Sequence, residues 1–164
     1  MAQLRRSELS LPEYVCGGDL MRQTETALRA AEPLSEALEH FMADARTELP
    51  IIDEAGRLVG TVDTRALLGC FIPKGFRKLF PGFAPVSPDV AMSHLAARLE
   101  EAHQIRVCEA MNTDVCTCLP GTPAQEIAAD MAERNAAVCY VLDDEQRLIG
   151  EIPVGLFFRR ILKD

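Results

Sequence analysis

The pattern of apolar and polar positions occurs twice along the chain, with an offset of 90 positions. Residues 50–63 read PIIDEAGRLVGTVD, and residues 140–153 read YVLDDEQRLIGEIP. In each copy, two runs rich in valine, isoleucine and leucine flank a short polar stretch, DEAG or DDEQ, which predicts two strands joined by a hairpin-like turn. The offset needs no gap and also aligns Met21 with Met111 and Pro33 with Pro123. The chain therefore contains an internal repeat.

A helix is expected before the two strands of each copy. Leu34, Leu38 and Phe41 recur at a spacing of three to four residues, which predicts an amphipathic helix, and Ile127 and Met131 continue the same pattern in the second copy. The aligned prolines lie near the helix starts, where a missing N–H costs little.

A short extended segment is expected before each of these helices, at 27–30 and 117–119, and a second helix after the strands, at 64–70 and 154–162. The order of elements is then β-α-β-β-α in both copies, and the predicted fold class is α/β (α+β). Gly60 and Gly150 lie inside strand patterns, which predicts close approach of another segment, or a bulge, at these positions.

At this point the chain resembles a known family. Two such units in tandem resemble a pair of CBS domains (named for cystathionine β-synthase), also called a Bateman module. The first copy carries LMRQTETALRAAEPLSEAL and LPIIDEAGRLVGTVDTRALL, and the second carries AMNTDVCTCLPGTPAQEIAADM and CYVLDDEQRLIGEIPVGLFF. The resemblance implies two units packed with pseudo-twofold symmetry, a homodimer, and an adenosine-containing ligand such as AMP, ATP or S-adenosylmethionine in the cleft between the units.

The expected organisation follows from this resemblance. Residues 1–18 form an N-terminal arm, 19–72 the first CBS unit, 73–108 a linker or insert, and 109–164 the second CBS unit.

The positions that hold the ligand in the family are altered in both copies. Binding members typically have Ser or Thr three residues after the strand glycine, where the hydroxyl meets phosphate, and an aspartate three residues later that holds the ribose. Here the hydroxyl positions are Asp63 and Pro153, and the ribose positions are Ala66 and Leu156. A carboxylate at the phosphate position repels a nucleotide by roughly 4 kcal/mol at 4 Å in an effective dielectric near 20. A neutral or cationic adenosyl compound loses less, and Arg65 is placed to neutralise Asp63.

Two interpretations of these positions remain open. Either the cleft binds an adenosyl ligand in a non-standard way, with the ring of Tyr140 stacked on a base, or Asp63 and Arg65 are solvated residues at a strand-to-helix junction. The candidate ligand-binding residues are Leu28, Pro50, Ile51, Asp63, Arg65, Cys118, Tyr140, Val141 and Pro153.

The segment between the copies is rich in phenylalanine and proline. Residues 69–108 hold four of the chain's seven phenylalanines, with cationic side chains among them, and an apolar stripe predicts a helix over about 89–104. The candidate partner surface is Phe76, Arg77, Phe80 and Phe83. The alternative is that these phenylalanines pack against the first unit or across a dimer.

Composition narrows the classes of partner. The chain has 164 residues and a formal net charge of −8, so its field repels nucleic acid and anionic lipid. It has no apolar run long enough for a membrane span, and its N-terminus lacks the apolar core of a signal peptide. A cytoplasmic location is therefore expected.

Six cysteines are expected to be reduced thiols in that compartment. Cys116 and Cys118 lie on a predicted strand, so both thiols point to one face. Small apolar packing is their default role, and the alternative is a thiol or metal sensor that also uses Cys108 and Cys139.

The sequence contains no nucleophile motif, phosphate loop or dinucleotide fingerprint. The leading hypothesis is therefore a non-catalytic regulatory or sensor module that works as a homodimer with an unknown protein partner. A purely structural protein–protein interaction module without a small-molecule ligand is the second hypothesis, and the thiol or metal sensor is the third.

Overall fold

The computed structural model describes residues 14–43, 46–71 and 102–162. The first repeat contains β1 (Leu28–Arg29), α2 (Leu34–Ala43), β2 (Glu48–Ile52), β3 (Leu58–Asp63) and α3 (Thr64–Phe71), and α1 (Gly17–Leu20) precedes it. The second repeat contains β4 (Thr117–Cys118), α5 (Ala124–Glu133), β5 (Val138–Leu142), β6 (Leu148–Pro153) and α6 (Val154–Ile161), and α4 (Val107–Ala110) precedes it. The predicted order β-α-β-β-α is confirmed in both copies.

Each repeat forms its own three-stranded sheet, with strand orders β1-β2-β3 and β4-β5-β6. β1 runs parallel to β2, with Leu28 opposite Ile51. β4 runs parallel to β5, with Cys118 opposite Val141, and β5 pairs antiparallel with β6. The strands that flank the polar stretches are therefore sheet neighbours, as the alternation of apolar runs and turn residues predicts.

The chain folds into two compact units that do not follow the repeats along the sequence. One, here called the first unit, consists of Thr26–Asp53 and Val59–Thr113. The other, the second unit, consists of Glu54–Leu58, Asp114–Asp164 and the chain up to Glu25. The short helix α1 thus belongs to the second unit, and α4 belongs to the first. The domain boundaries expected from the repeat stay a prediction.

Each unit has an apolar core between its sheet and its helices. In the first unit, Leu34 of α2 packs with Ile51 of β2 and Val62 of β3. In the second, Ile127 and Met131 of α5 pack with β5, β6 and Phe157 of α6. The predicted helical stripes are therefore buried, and burial of such side chains is worth about 1.5–3 kcal/mol each.

Both strand glycines lie under a neighbouring main chain. A Cβ atom on Gly60 would lie 2.8 Å from the carbonyl oxygen of Asn112. One on Gly150 would lie 2.6 Å from the Sδ atom of Met21 and 3.0 Å from the carbonyl oxygen of Arg22. The predicted close approach is confirmed, because the residues after α4 cross β3 and those after α1 cross β6.

Several expectations concern residues outside the described part of the chain. The candidate partner surface of Phe76, Arg77, Phe80 and Phe83 lies there, as does the N-terminal arm up to residue 13. Of the expected helix at 89–104, only 102–104 are described, and they form a turn. Within the described residues, no helix has the length and apolar character needed to cross a membrane.

Candidate functional site

The junction of β3 and α3 is the first place where the resemblance expects a ligand. Asp63 ends β3, and its Oδ1 atom accepts a hydrogen bond of 2.6 Å from the N–H of Ala66 in the first turn of α3. This is an N-terminal helix cap, which satisfies a main-chain donor that otherwise has no helical partner. The carboxylate also lies at the positive end of the helix dipole, which favours its charge.

Arg65 completes this junction. Its Nε atom lies 3.5 Å from Asp63 Oδ2, and its side chain is 81% exposed. The expected neutralisation of Asp63 by Arg65 is therefore present, but as a loose surface pair. The start of α3 already holds a carboxylate of its own, so it does not offer an open anion site to a phosphate group.

The equivalent junction in the second unit differs. Pro153 ends β6 and precedes α6, and no side chain caps the helix. The N–H of Val154 donates to the carbonyl oxygen of Ala137 at 2.9 Å. Space is open around Gly155, where an added Cβ would meet nothing within 4 Å. The two copies therefore present different chemistry, a capped and acidic junction in the first unit and an uncharged one in the second.

The strand residues proposed as ligand contacts are buried. Leu28, Ile51 and Val141 lie in the apolar cores, and Cys118 is packed against the second core. Pro50 is also fully buried. Their side chains therefore contribute packing, and what they can offer a ligand at the sheet is main chain.

The burial of Tyr140 contradicts the expectation that its ring stacks on a base. Its side chain has no exposed surface, whereas stacking on a base needs an exposed ring face. The strand position of Tyr140, opposite Glu151 and next to the core residues Cys139 and Val141, explains this burial.

The register also separates the proposed second-unit residues. Pro153 is opposite Val138, at the start of β5, whereas Cys118 is opposite Val141. Val138 and Val141 are three residues apart on β5, or about 10 Å at 3.3 Å per residue. The structure thus brings Cys118 and Val141 together and places Pro153 further along the sheet.

Sequence reasoning missed an ion pair in the second unit. Glu151 is only 3% exposed, and its Oε1 atom accepts a hydrogen bond of 2.8 Å from Arg22 Nε. Arg22 Nη2 lies 2.6 Å from the same oxygen. The signal in the sequence was a glutamate between the apolar residues of a predicted strand, because a charge there needs a partner.

A cluster of three thiols is formed by Cys116, which directly precedes β4, Cys118 at the end of β4, and Cys139 on β5. Cys116 is 3% exposed, Cys139 is fully buried, and Cys118 is half-buried. The thiol of Cys139 is hydrogen-bonded to the sulfurs of both Cys116 and Cys118, so the thiols of Cys116 and Cys118 lie on one face, although only Cys118 belongs to β4. The thiol of Cys116 also donates to Asp130 Oδ2 at 3.2 Å.

The electrostatics of this cluster differ from thiol to thiol. The hydrogen bond from Cys139 lowers the pKa of Cys118. The pKa of Cys139 is raised by its hydrogen bonds to Cys116 and Cys118 and by burial. Asp130 has a lowered pKa because Arg134 and then Cys116 donate to it.

The described cysteines are all free thiols, and among the described residues no group of His, Cys, Asp or Glu is arranged to hold a metal ion. Cys108, the fourth thiol of the sensor hypothesis, belongs to the first unit.

An apolar surface lies on α5 and α6 of the second unit. Val154, Phe158 and Leu162 recur every four residues and are 44%, 55% and 44% exposed. Val154 and Phe158 line a groove of about 260 Å³ together with Ala128 and Ala132. We call these five residues the α5–α6 surface.

Comparison with protein families identifies both copies. The family model described as CBS domain matches residues 17–72 and 106–162. Comparison with curated protein sequences gave no match.

Solved structures share the fold. A CBS domain-containing protein of unknown function from Kribbella flavida is 15% identical, with 92% of this chain and 99% of that chain covered and a TM-score of 0.70. The CBS-pair protein CBSX2 from Arabidopsis thaliana is 20% identical, with 88% and 92% covered and a TM-score of 0.68. CBSX2 in complex with AMP is 21% identical, with 88% and 94% covered and a TM-score of 0.65. The two repeats, their sheets and the family match agree, and the chain belongs to the CBS-domain family, with two CBS domains in tandem.

Proposed function

We propose that this protein is a non-catalytic regulatory module in which the CBS pair senses an adenosine-containing ligand. The observation that carries the proposal is the presence of two matched β-α-β-β-α repeats that each belong to the CBS family. The complex of CBSX2 with AMP supports an adenosyl ligand for a chain of this fold.

The two strand-to-helix junctions favour some adenosyl compounds over others. Asp63 places a carboxylate where the family has a hydroxyl, and its cap to Ala66 holds it at the start of α3. Loss of the ribose-binding aspartate at Ala66 and Leu156 forfeits roughly 1.5–3 kcal/mol per charge-assisted hydrogen bond. The ligand is therefore an uncharged or cationic adenosyl compound, such as adenosine or S-adenosylmethionine, in preference to ATP in the usual pose.

The second junction is the better candidate for the ligand. It carries no acidic side chain at Pro153, and the space around Gly155 is open. A bound ligand acts by stabilising one conformation of the CBS pair over another, and a partner protein responds to that difference in population. The insert around Phe76 and Phe80 is our candidate for the surface that the partner contacts.

A second function is favoured by the α5–α6 surface. Exposed apolar patches on soluble proteins mark interaction sites, and Phe158 with its neighbours forms such a patch. The first repeat has exposed Met42 and Leu68 at the positions that match Ala132 and Phe158. We infer that two copies of the chain form a homodimer through the exposed apolar side chains of α2, α3, α5 and α6. Such a dimer also fits an interaction module without a small-molecule ligand.

Thermal unfolding of the apo protein with adenosine, AMP, ADP, ATP and S-adenosylmethionine at millimolar concentration tests the proposal. A ligand at 100 times its Kd stabilises by about 2.7 kcal/mol, and each kcal/mol raises the Tm of a chain this long by about 2–4 °C. We expect a shift with adenosine or S-adenosylmethionine and none with ATP. No shift with any compound contradicts the sensor and favours the interaction module.

The variant Asp63→Asn is the matched control for charge. Asn caps a helix as well as Asp does, so this variant removes the charge and keeps the local structure. A gain in ATP binding by Asp63→Asn places the nucleotide at the first junction. If the ligand binds at the second junction instead, Asp63→Asn should show the same thermal shifts with the five compounds as the wild type.

A further inference from the structure

Three of the thiols of the second unit, those of Cys116, Cys118 and Cys139, stand in a defined register. Thr117 is opposite Tyr140 on the parallel strands β4 and β5, so Cys116 is opposite Cys139. The N–H of Tyr140 donates to the carbonyl oxygen of Cys116 at 2.9 Å, which fixes this alignment. Neighbouring strands lie about 4.8 Å apart, and disulfides form between Cα atoms about 4.4–6.8 Å apart. Cys116 and Cys139 therefore have the spacing of a disulfide pair.

Cys118 occupies a different place in the cluster. It lies two positions further along β4, so its Cα is roughly 8 Å from that of Cys139, beyond the spacing of a relaxed disulfide. It is, however, the half-buried member, whereas Cys116 and Cys139 are both buried. Its sulfur packs against α1, because a Cβ atom added to Gly17 would lie 3.2 Å from the Sγ atom of Cys118. Cys118 is therefore the member of the three with the most exposed surface.

The hydrogen bonds give each thiol a distinct property. Cys139 is hydrogen-bonded to both other sulfurs, so it is the central member. Its hydrogen bond lowers the pKa of Cys118 and so favours the thiolate, which is the reactive form of cysteine. Cys116 donates to the carboxylate of Asp130, which orients its sulfur at the far end of the cluster.

We propose that Cys118, Cys139 and Cys116 form a thiol redox relay, in which Cys118 reacts with a low-molecular-weight disulfide and a Cys116–Cys139 disulfide is the product. This input is independent of an adenosyl ligand, and it gives the second unit a covalent state.

The relay consists of three thiol–disulfide exchange steps. The Cys118 thiolate attacks one sulfur of the small disulfide, forms a mixed disulfide and releases one small thiolate. Cys139 then attacks the Cys118 sulfur, releases the second small thiolate and gives up its proton to it, which leaves a transient Cys118–Cys139 disulfide. Finally Cys116 attacks the Cys139 sulfur, and Cys118 leaves again as a thiolate while the proton of Cys116 passes to the first small thiolate. In total, two protein thiols are oxidised and the small disulfide is reduced to two thiols.

Peptide mapping of the full chain tests the relay. The reduced protein is treated with glutathione disulfide, and samples are quenched with acid, alkylated and digested with trypsin. Trypsin cuts after Arg106, Arg134 and Arg147, so residues 107–134 carry Cys108, Cys116 and Cys118, and residues 135–147 carry Cys139. We expect a disulfide between these two peptides, with fragmentation that assigns it to Cys116 and finds both Cys108 and Cys118 alkylated.

The cysteine variants separate the roles of the thiols. Cys118→Ser should slow formation of the Cys116–Cys139 disulfide at least tenfold without changing its yield at equilibrium. Cys116→Ser should accumulate glutathione on Cys118 or a Cys118–Cys139 link. Cys108→Ser, in the first unit, is the control and should change neither.

Two results would overturn the relay. One is a Cys118→Ser protein that forms the Cys116–Cys139 disulfide as fast as the wild type. The other is a wild-type protein in which the peptides 107–134 and 135–147 stay unlinked. The second result needs no variant, so the test holds even if a substitution prevents folding.

Discussion

Arg22 and Glu151 are joined by their main chains and by their side chains. The N–H of Arg22 donates to the carbonyl oxygen of Glu151 at 3.0 Å, and the N–H of Glu151 donates back at 2.9 Å. The guanidinium then reaches the buried carboxylate at 2.6 and 2.8 Å. In the first unit, Asn112 and Thr61 exchange the same pair of main-chain hydrogen bonds, at 2.7 and 2.8 Å, without an ion pair. The same main-chain arrangement thus carries an ion pair in the second unit and two uncharged residues in the first.

This symmetry provides a matched experiment. Arg22→Asn removes the cation beside a carboxylate that is 3% exposed, and breaking a buried pair from one side costs about 3–5 kcal/mol. Because Arg22 is 45% exposed, we expect a loss of unfolding free energy at the lower end of that range. The double variant Arg22→Asn/Glu151→Thr copies the first unit and should recover most of the loss. Urea unfolding of both proteins gives the comparison, and a double variant no more stable than Arg22→Asn would contradict it.

Gly60 has a steric role that an alanine scan can measure. In Gly60→Ala, the new Cβ would lie 2.8 Å from the main-chain oxygen of Asn112, which cannot rotate away. We expect a loss of about 1–3 kcal/mol, the usual cost of overpacking. Gly155→Ala is the control, because nothing lies within 4 Å of its Cβ, and alanine is favoured over glycine in helices by up to about 1 kcal/mol. Equal Tm values for the two variants would be inconsistent with the close approach of the chain to β3.

Asp63 should stabilise α3 through its cap. Asp63→Ala removes the hydrogen bond to the N–H of Ala66, and losses of such caps cost about 0.5–2 kcal/mol. Asp63→Asn keeps a good cap and should stay within a few tenths of a kcal/mol of the wild type. Chemical unfolding of the three proteins decides this, and an Asp63→Ala protein as stable as the wild type would show that the cap contributes nothing.

The repeat and the element order were predictable because strand, turn and helix patterns are local. Gly60 and Gly150 could be assigned a close approach because glycine inside a strand has few other reasons to be there. The pair of Arg22 and Glu151 could not be found in this way, since its members are far apart in the sequence and only the packing of α1 on the second unit joins them. Tyr140 was misjudged for a related reason, because strand alternation does not show that both faces of a strand are covered.

Asp63 illustrates the same limit at a candidate site. The sequence placed an arginine where it could neutralise Asp63, and the structure pairs Arg65 with that carboxylate. It did not show that the carboxylate is engaged by a helix N–H, because capping depends on where the helix begins.

The thiol of Cys118 should react at a lower pH than free cysteine. Its pKa is lowered by the hydrogen bond from Cys139, which favours the reactive thiolate. The rate of alkylation by iodoacetamide at Cys118, followed by peptide mapping at a series of pH values, should therefore rise at a lower pH than it does in a protein without this hydrogen bond. Cys139→Ala removes the donor and should move the midpoint of this rise upward. A midpoint that is the same with and without Cys139 would argue against this hydrogen bond.

The α5–α6 surface should control self-association. Burial of the exposed half of Phe158, on the order of 100 Å², is worth about 2.5 kcal/mol, and each 1.4 kcal/mol is a factor of ten in affinity. Phe158→Lys should therefore weaken a dimer by between ten- and a hundredfold in sedimentation experiments while leaving the fold intact, because the side chain is 55% exposed. Asp144→Asn changes the net charge by the same one unit at an exposed turn position and should leave the dimer unchanged. If Phe158→Lys and the wild type sediment alike over the same concentration range, this surface does not join two copies of the chain.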